Sequence, residues 1–308
     1  MLNKFLIWLL IIFVALPVNS GTFNEKNIMV NKIKRSYVTK FPNNYNTDKK
    51  VPLIIALHGG GSNWKKFNRA TTRNTLEKEA DHNNILLIFP EAKNNHWSDG
   101  REKHLEGQQK FDDVKFISKL IDLAIDKYNV DSDRVFITGI SNGGFMAIRL
   151  AIELTGKISA VASVSAQMSL KIQYLQLDKP ISFMLINGTD DPIVPYNGGN
   201  MKLFKLSKSR GKVLSSTQTI KYFVENNKCN KPANHSSQDH NKFDMTTLNI
   251  SEYKECEENV QVTLIKVNGG GHTWPGGKQY LPVALIGHLS KEINASKLIV
   301  DFFLENSK

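Results

Sequence analysis

Cysteine, acidic charge and long apolar runs are all scarce in this 308-residue chain, and each scarcity narrows what the chain can be. Cysteine occurs only at Cys229 and Cys256, so packing rather than a disulfide framework must hold the fold. The one extended apolar run, Phe5 to Val18, is shorter than a bilayer span requires. Asp and Glu number 29 against 40 Lys and Arg, leaving a formal charge of +11. No nucleic-acid-binding motif accompanies that charge, so nucleic acid is not an expected partner. Internal repeats and low-complexity linkers are also missing, which leaves one large domain as the simplest organisation.

The N-terminal run carries one early cation, Lys4, and ends in Val18-Asn19-Ser20, with small residues at the positions that precede a cleavage site. This is the pattern of a secretory signal peptide over residues 1–20, cleaved near Ser20 and leaving residues 21–308 as the mature domain. The expected location is extracellular or periplasmic, where an isolated cysteine pair reads as a disulfide. Closing that loop is worth about 3–4 kcal/mol in the chain-entropy treatment. The densest basic stretch holds Lys202, Lys205, Lys208, Arg210 and Lys212 without an acidic residue. It reads as a solvated loop, or as a weak contact for an anionic polymer or membrane surface across Lys202 to Lys212. Nothing in the chain fixes an oligomeric state.

Apolar, β-branched runs at Pro52–Leu57, Ile85–Phe89, Arg134–Thr138, Ala160–Val164, Ile181–Ile186 and Val260–Val267 predict strands. Val114, Ile117, Ile121, Ala124, Ile125 and Tyr128 recur at helical spacing behind Asp112 and Asp113, whose charge suits a helix start. Further helices are predicted from about Asn142 to Leu154 and from about Asn294 to Leu304. Strands apolar throughout and separated by helices predict an α/β fold, a mainly parallel sheet with helices on both faces. In such sheets ligands gather beyond the carboxyl ends of the strands. Four predicted strands run into unusual loops there: His58-Gly59-Gly60-Gly61-Ser62, Gly139-Ile140-Ser141-Asn142-Gly143-Gly144, Asn187-Gly188-Thr189-Asp190-Asp191-Pro192, and the glycine-rich stretch from Asn268 to Gly277.

Gly139 to Gly143 fits the nucleophile-elbow pattern between a strand and a helix, with Ser141 at its centre. The bland alternative is a serine that caps the following helix. A serine hydroxyl needs a base. Of eight histidines, His82, His96, His104, His235 and His240 lie in polar stretches that read as surface, and His288 lies in an irregular segment. His272 follows a strong strand late in the chain, where the order Ser, Asp, His requires it. Asp191 is the choice for the third member because Pro192 restricts its backbone, with Asp190 the rival. Oxyanion donors are expected from the backbone of Asn142 and of Gly60 or Gly61. The latter loop lacks the Gly-Lys-Ser/Thr ending of a phosphate loop. No ligand residues stand at metal spacing around His272, so neither metal nor cofactor is expected.

The loops, together with Trp97-Ser98-Asp99-Gly100, Asp112-Asp113-Val114, Asp133-Arg134-Val135, Asp191-Pro192-Ile193-Val194-Pro195-Tyr196 and Gly270-Gly271-His272-Thr273-Trp274-Pro275-Gly276, resemble the secreted polyhydroxybutyrate depolymerase-like esterases. These are related to the feruloyl and acetylxylan esterases, and the resemblance covers nearly all of residues 21–308. It implies an α/β-hydrolase fold, a triad of Ser141, Asp191 and His272, and a Cys229 to Cys256 disulfide. The implied activity is hydrolysis of carboxylic esters. With no segment left for a polymer-binding domain, soluble or oligomeric hydroxyalkanoate esters are expected rather than crystalline polymer. Leu203, Phe204 and Leu206 in the basic segment read as a lid edge. The alternative substrate is an aromatic ester on plant polysaccharide, with Trp97 or Trp274 as a stacking face. A secreted binding protein without turnover and a peptidase are the remaining readings. Asn187, Asn234, Asn249 and Asn294 begin glycosylation sequons, and a glycan at Asn187 would obstruct the proposed site.

Overall fold

Where a strand is apolar at every position, both of its faces must be covered, and the centre of this molecule follows that rule. The computed structural model describes residues 21–101, 111–203, 207–230 and 233–307. The predicted signal peptide, His104, Phe204, Lys205 and Leu206 lie outside the described residues. The strands are β1 Phe23–Val30, β2 Ile33–Lys40, β3 Val51–Leu57, β4 Leu86–Pro90, β5 Val130–Ile140, β6 Ala160–Val164 and β7 Ser182–Gly188. They continue with β8 Gly199–Asn200, β9 Lys212–Val213, β10 Asn234–Gln238, β11 Thr247–Tyr253 and β12 Val262–Asn268. One sheet takes the order β1-β2-β4-β3-β5-β6-β7-β12-β11-β10, while β8 and β9 pair separately. The run from β4 to β12 is parallel. Antiparallel pairs close both ends, β1 with β2 and β11 with β10.

The helices are α1 Trp64–Lys66, α2 Thr75–His82, α3 Asp113–Lys127, α4 Asn142–Glu153, α5 Ser216–Asn226, α6 Val283–Ile286 and α7 Ala295–Glu305. Alternation along the strands sorts the core into two layers. Leu53, Ile55 and Leu57 of β3 pack with Phe116 and Leu120 of α3, Met146 of α4 and Phe223 of α5. Ile54 and Ala56 point the other way, towards Leu76 of α2 and Phe302 and Phe303 of α7. Stacked aromatic pairs tie helix to strand on each side, Phe183 on Phe223 and Phe136 on Phe303. Asp112 caps α3, Ser215 and Gln218 form a capping box on α5, and Asn294 caps α7.

All six predicted strands and three predicted helices are present. The strands β1, β2, β8, β9, β10 and β11 and the helices α1, α2, α5 and α6 were not foreseen. The sheet edges escaped because they are polar: β10 reads Asn-His-Ser-Ser-Gln and is almost wholly exposed, as suits an edge strand that must not pair with other chains. The cysteines form a disulfide, Cys229 to Cys256, between the end of α5 and the loop after β11. Among the described residues no helix is long and apolar enough to cross a membrane.

Candidate active site

Ser141 is the single residue between β5 and α4, and its backbone lies at φ 55°, ψ −123°. A residue with a β-carbon is strained there by about 1–3 kcal/mol and persists only where its surroundings hold it. Its N–H donates to the Val164 carbonyl at 2.9 Å, and its carbonyl accepts the Phe145 N–H at 2.8 Å. The flanking glycines are required by space. A methyl group on Gly143 would collide with the Leu57 and His58 carbonyl oxygens, and one on Gly139 with the backbone of Gly143. The Ser141 side chain makes no capping bond to α4, so the bland reading of this serine as a helix cap fails.

His272 sits beyond the end of β12, in a loop held between the ends of β7 and α6 by contacts that leave no room for side chains. A β-carbon on Gly271 would overlap the backbone of Ile286 and Gly287. The Tyr280 hydroxyl donates to the His272 carbonyl at 2.7 Å. Burial, and then the nearby Asp191 carboxylate, push the Tyr280 phenol far above its usual range, so it stays a donor. His272 Nδ1 lies 2.7 Å from Asp191 Oδ2, with both side chains buried. Asp191 Oδ1 accepts the N–H groups of Ile193 and Val194, each at 2.8 Å. A carboxylate oxygen accepts, so Nδ1 carries the proton and Nε2 is the basic nitrogen. The rival Asp190 is exposed and takes the Thr189 hydroxyl at 2.9 Å.

The glycine loop after β3 lies against the start of α4, with Gly60 packed near the Asn142 β-carbon. Neither the Gly60 N–H nor the Asn142 N–H has an acceptor among the described residues. Gly61 departs from expectation, because its N–H is committed to the Asn95 carbonyl at 2.8 Å. Of the three expected donors, Gly60 and Asn142 are therefore the two whose N–H groups remain open among the described residues. The Asn142 side chain faces away into structure, accepting from Trp97 N–H at 2.7 Å and donating to Asp99 Oδ2 at 2.6 Å.

Both tryptophans correct the reading as stacking faces. Trp97 is fully buried, donates Nε1–H to the His58 carbonyl at 2.9 Å and packs against the His58 ring. Trp274 is equally buried, bonds the Ser296 hydroxyl at 3.0 Å and meets Phe67 edge-on. Neither lines the cavity that Ser141 and His272 share, a space of about 530 Å³. Its apolar wall includes Ile140, Ile193, Met201, Leu203, Leu281 and Ile286. Of the lid-edge residues, Leu203 is thus on the wall. His96, read as surface, also lines the cavity, as do Arg101, Arg210 and Tyr280, which were not singled out for the site. Arg101 follows the Trp97 to Gly100 motif directly, a cue that could have found it; Tyr280 lies in an irregular stretch with no such cue.

The motif residues outside the cavity support it. Asp113 at the start of α3 pairs with buried Arg35 at 2.6 Å and takes the Ser98 N–H and hydroxyl, each at 2.7 Å. Asp99 holds Arg101 through both carboxylate oxygens. Asn187 is buried, its amide bonded to Ala166 and Ser216, which leaves no room for a glycan. Among the described residues no group of three His, Cys, Asp or Glu side chains is arranged to hold a metal.

Comparison with known proteins agrees with this geometry. The profile of the Phospholipase/Carboxylesterase family matches residues 44–221, more than half of the chain. NocK of Nocardia uniformis subsp. tsuyamanensis, whose name assigns it to the esterases, is 26% identical over 94% of this chain and 84% of its own length. Feruloyl esterase B of Piromyces equi is 26% identical over 79% of this chain, a match to 44% of that protein. The structure of an acetyl xylan esterase from Aspergillus awamori superposes with a TM-score of 0.56, covering 91% of this chain and 98% of that one. At 14% identity that likeness is one of fold, the α/β-hydrolase fold.

Proposed function

The chain belongs to the Phospholipase/Carboxylesterase family and is a carboxylic-ester hydrolase, and from that premise we propose that it works as a serine esterase through Ser141, His272 and Asp191. The observation that carries this reading is a strained serine with an uncommitted side chain, on the same cavity as an imidazole whose Nδ1 is already held by a carboxylate. His272 Nε2 takes the Ser141 proton as Oγ attacks the ester carbonyl carbon. The carbonyl oxygen becomes an oxyanion between the N–H groups of Gly60 and Asn142, a type of contact worth about 2.7–4 kcal/mol per donor. The imidazolium then protonates the departing alkoxide, leaving an acyl-Ser141 ester. Water, deprotonated by the same Nε2, adds to the acyl carbon; Ser141 leaves with the returned proton and the acid departs.

The aliphatic wall of the cavity favours an aliphatic acyl or hydroxyacyl group, as in soluble hydroxyalkanoate oligomers. Aromatic esters of plant polysaccharide are the second reading, supported by the names of the feruloyl esterase relatives and by the Tyr280 ring on the cavity wall. A fluorophosphonate probe should label the wild-type protein and leave Ser141→Ala unlabelled; an unlabelled wild type would overturn the serine mechanism. Comparing methyl ferulate with the methyl ester of 3-hydroxybutyrate separates the two substrate readings, the higher kcat/KM deciding. We also propose export through the N-terminal segment, a reading supported by the disulfide. Sequencing the N-terminus of the exported protein tests it, with Gly21 as the expected first residue.

A further inference from the structure

Two guanidinium groups stand side by side on the cavity wall, and their surroundings differ sharply. Arg101 is buried, doubly bonded to Asp99 and laid over the Phe145 ring at 4.5 Å. Arg210 is half-buried, and among the described residues no oxygen accepts from its side chain. Its main chain is fixed nonetheless. Arg210 N–H donates to the Met201 carbonyl at 2.8 Å, and Met201 N–H to the Gly211 carbonyl at 3.0 Å, next to the β8–β9 pair. A third cation, Lys66, stands exposed on the same lining, and among the described residues no Asp or Glu side chain is part of it. Burial, followed by repulsion from Arg101, lowers the Arg210 pKa, the mark of a cation short of a counter-charge.

We infer that Arg210 binds a free carboxylate on the substrate, so that the enzyme prefers esters carrying an anionic end. This rests on the serine-esterase reading and sharpens its substrate class. A planar guanidinium with open donors matches a carboxylate in geometry as well as charge. A short hydroxyacid oligomer fits both halves of the cavity. Its aliphatic body suits the Ile193, Met201 and Ile286 wall, and every such oligomer ends in one free carboxylate. An interior ester of a long polymer offers no charge there. The basic run from Lys202 to Lys212 then acts through Arg210 inside the site rather than as a patch for a membrane or polymer.

The test uses paired esters with and without that carboxylate. The linear dimer of 3-hydroxybutyrate is compared with its methyl ester, placing the carboxylate on the alcohol half. Mono-p-nitrophenyl glutarate is compared with p-nitrophenyl valerate, placing it on the acyl half. The acid of at least one pair should exceed its neutral partner in kcat/KM by about 10- to 100-fold, the usual worth of a hydrogen bond to a charged group, and the favoured pair shows which half is held. Arg210→Gln should erase that preference and Arg210→Lys should retain part of it. Equal rates within both pairs, or a preference that survives Arg210→Gln, would overturn the inference. Glutarate titrated into Ser141→Ala by calorimetry gives an answer independent of turnover: binding lost on adding Arg210→Gln supports the inference, and binding unchanged refutes it. A wild type that neither turns over esters nor takes the fluorophosphonate, yet binds glutarate through Arg210, would sink the esterase mechanism alone.

Discussion

His58 and His272 look alike in sequence and in burial, yet only one is free to accept a proton. Each stands beside glycines in a loop beyond a parallel strand, and their exposures are 1% and 4%. His58 has both nitrogens engaged: Nδ1 meets the Gly59 carbonyl at 2.8 Å and Nε2 accepts the Ala92 N–H at 3.2 Å. Burial drives its pKa down to about 4, so it remains neutral and serves as a brace between β3 and the loop after β4. His272 gives only Nδ1 to the protein, and Nε2 has no partner among the described residues. Glycine context and burial therefore do not distinguish the two histidines; the count of committed nitrogens does.

The sharpest way to break this comparison is to remove each member of the proposed relay. His272→Ala should lower kcat on p-nitrophenyl butyrate by about 10⁴- to 10⁶-fold, while thermal unfolding shows a folded protein. Asp191→Asn should cost about 10⁴-fold, because an amide no longer fixes the Nδ1–H tautomer. Asp190→Asn, altering an exposed carboxylate bonded only to Thr189 within its own loop, should change kcat less than about threefold. If Asp190→Asn proved the more damaging of the two, the assignment of the acid would have to move.

The neighbouring aspartates also show how far the sequence could be read. Pro192 distinguished Asp191 only weakly, whereas the two amides on Oδ1 and the imidazole on Oδ2 distinguish it clearly. The parallel strands were legible because full burial writes an unbroken apolar run, as in Val51 to Leu57. The edge strands were not, since β1 carries four consecutive polar residues, Asn24 to Asn27, and β10 has no apolar residue. The elbow was legible because space demands Gly139 and Gly143. Gly61 was not separable from Gly60, because what removes it is a bond to Asn95, 34 residues along the chain. Arg210 looked like one of several loop cations; that no oxygen among the described residues accepts from its side chain is visible only in three dimensions.

A smaller effect comes from the pH dependence of His58. Its folded pKa, about 4, lies below the ordinary value of 6.5, so the unfolded chain binds the proton more readily between those values. Stability is then fully present above 6.5 and is lost as pH falls towards 4, by about 3 kcal/mol in total for a shift of this size. Urea unfolding above pH 6.5 and again near pH 4 should show that loss in the wild type and a smaller one in His58→Gln. An identical pH slope in both proteins would mean that His58 is not the buried neutral brace described here.

The smallest expected effect concerns Trp97, and it bears on what the cavity recognises. Its ring packs against His58 and its Nε1–H satisfies the His58 carbonyl, so Trp97→Phe keeps much of the apolar contact and leaves that carbonyl without its donor. The cost should be about 1–3 kcal/mol of stability, since the carbonyl is left unsatisfied in a buried place. Selectivity should not move, because Trp97 does not line the cavity. The ratio of kcat/KM for methyl ferulate over methyl 3-hydroxybutyrate should match the wild type within about twofold, well inside the tenfold that 1.4 kcal/mol would produce. A ratio that fell in Trp97→Phe while the unfolding midpoint held would restore the stacking role that the buried geometry removes.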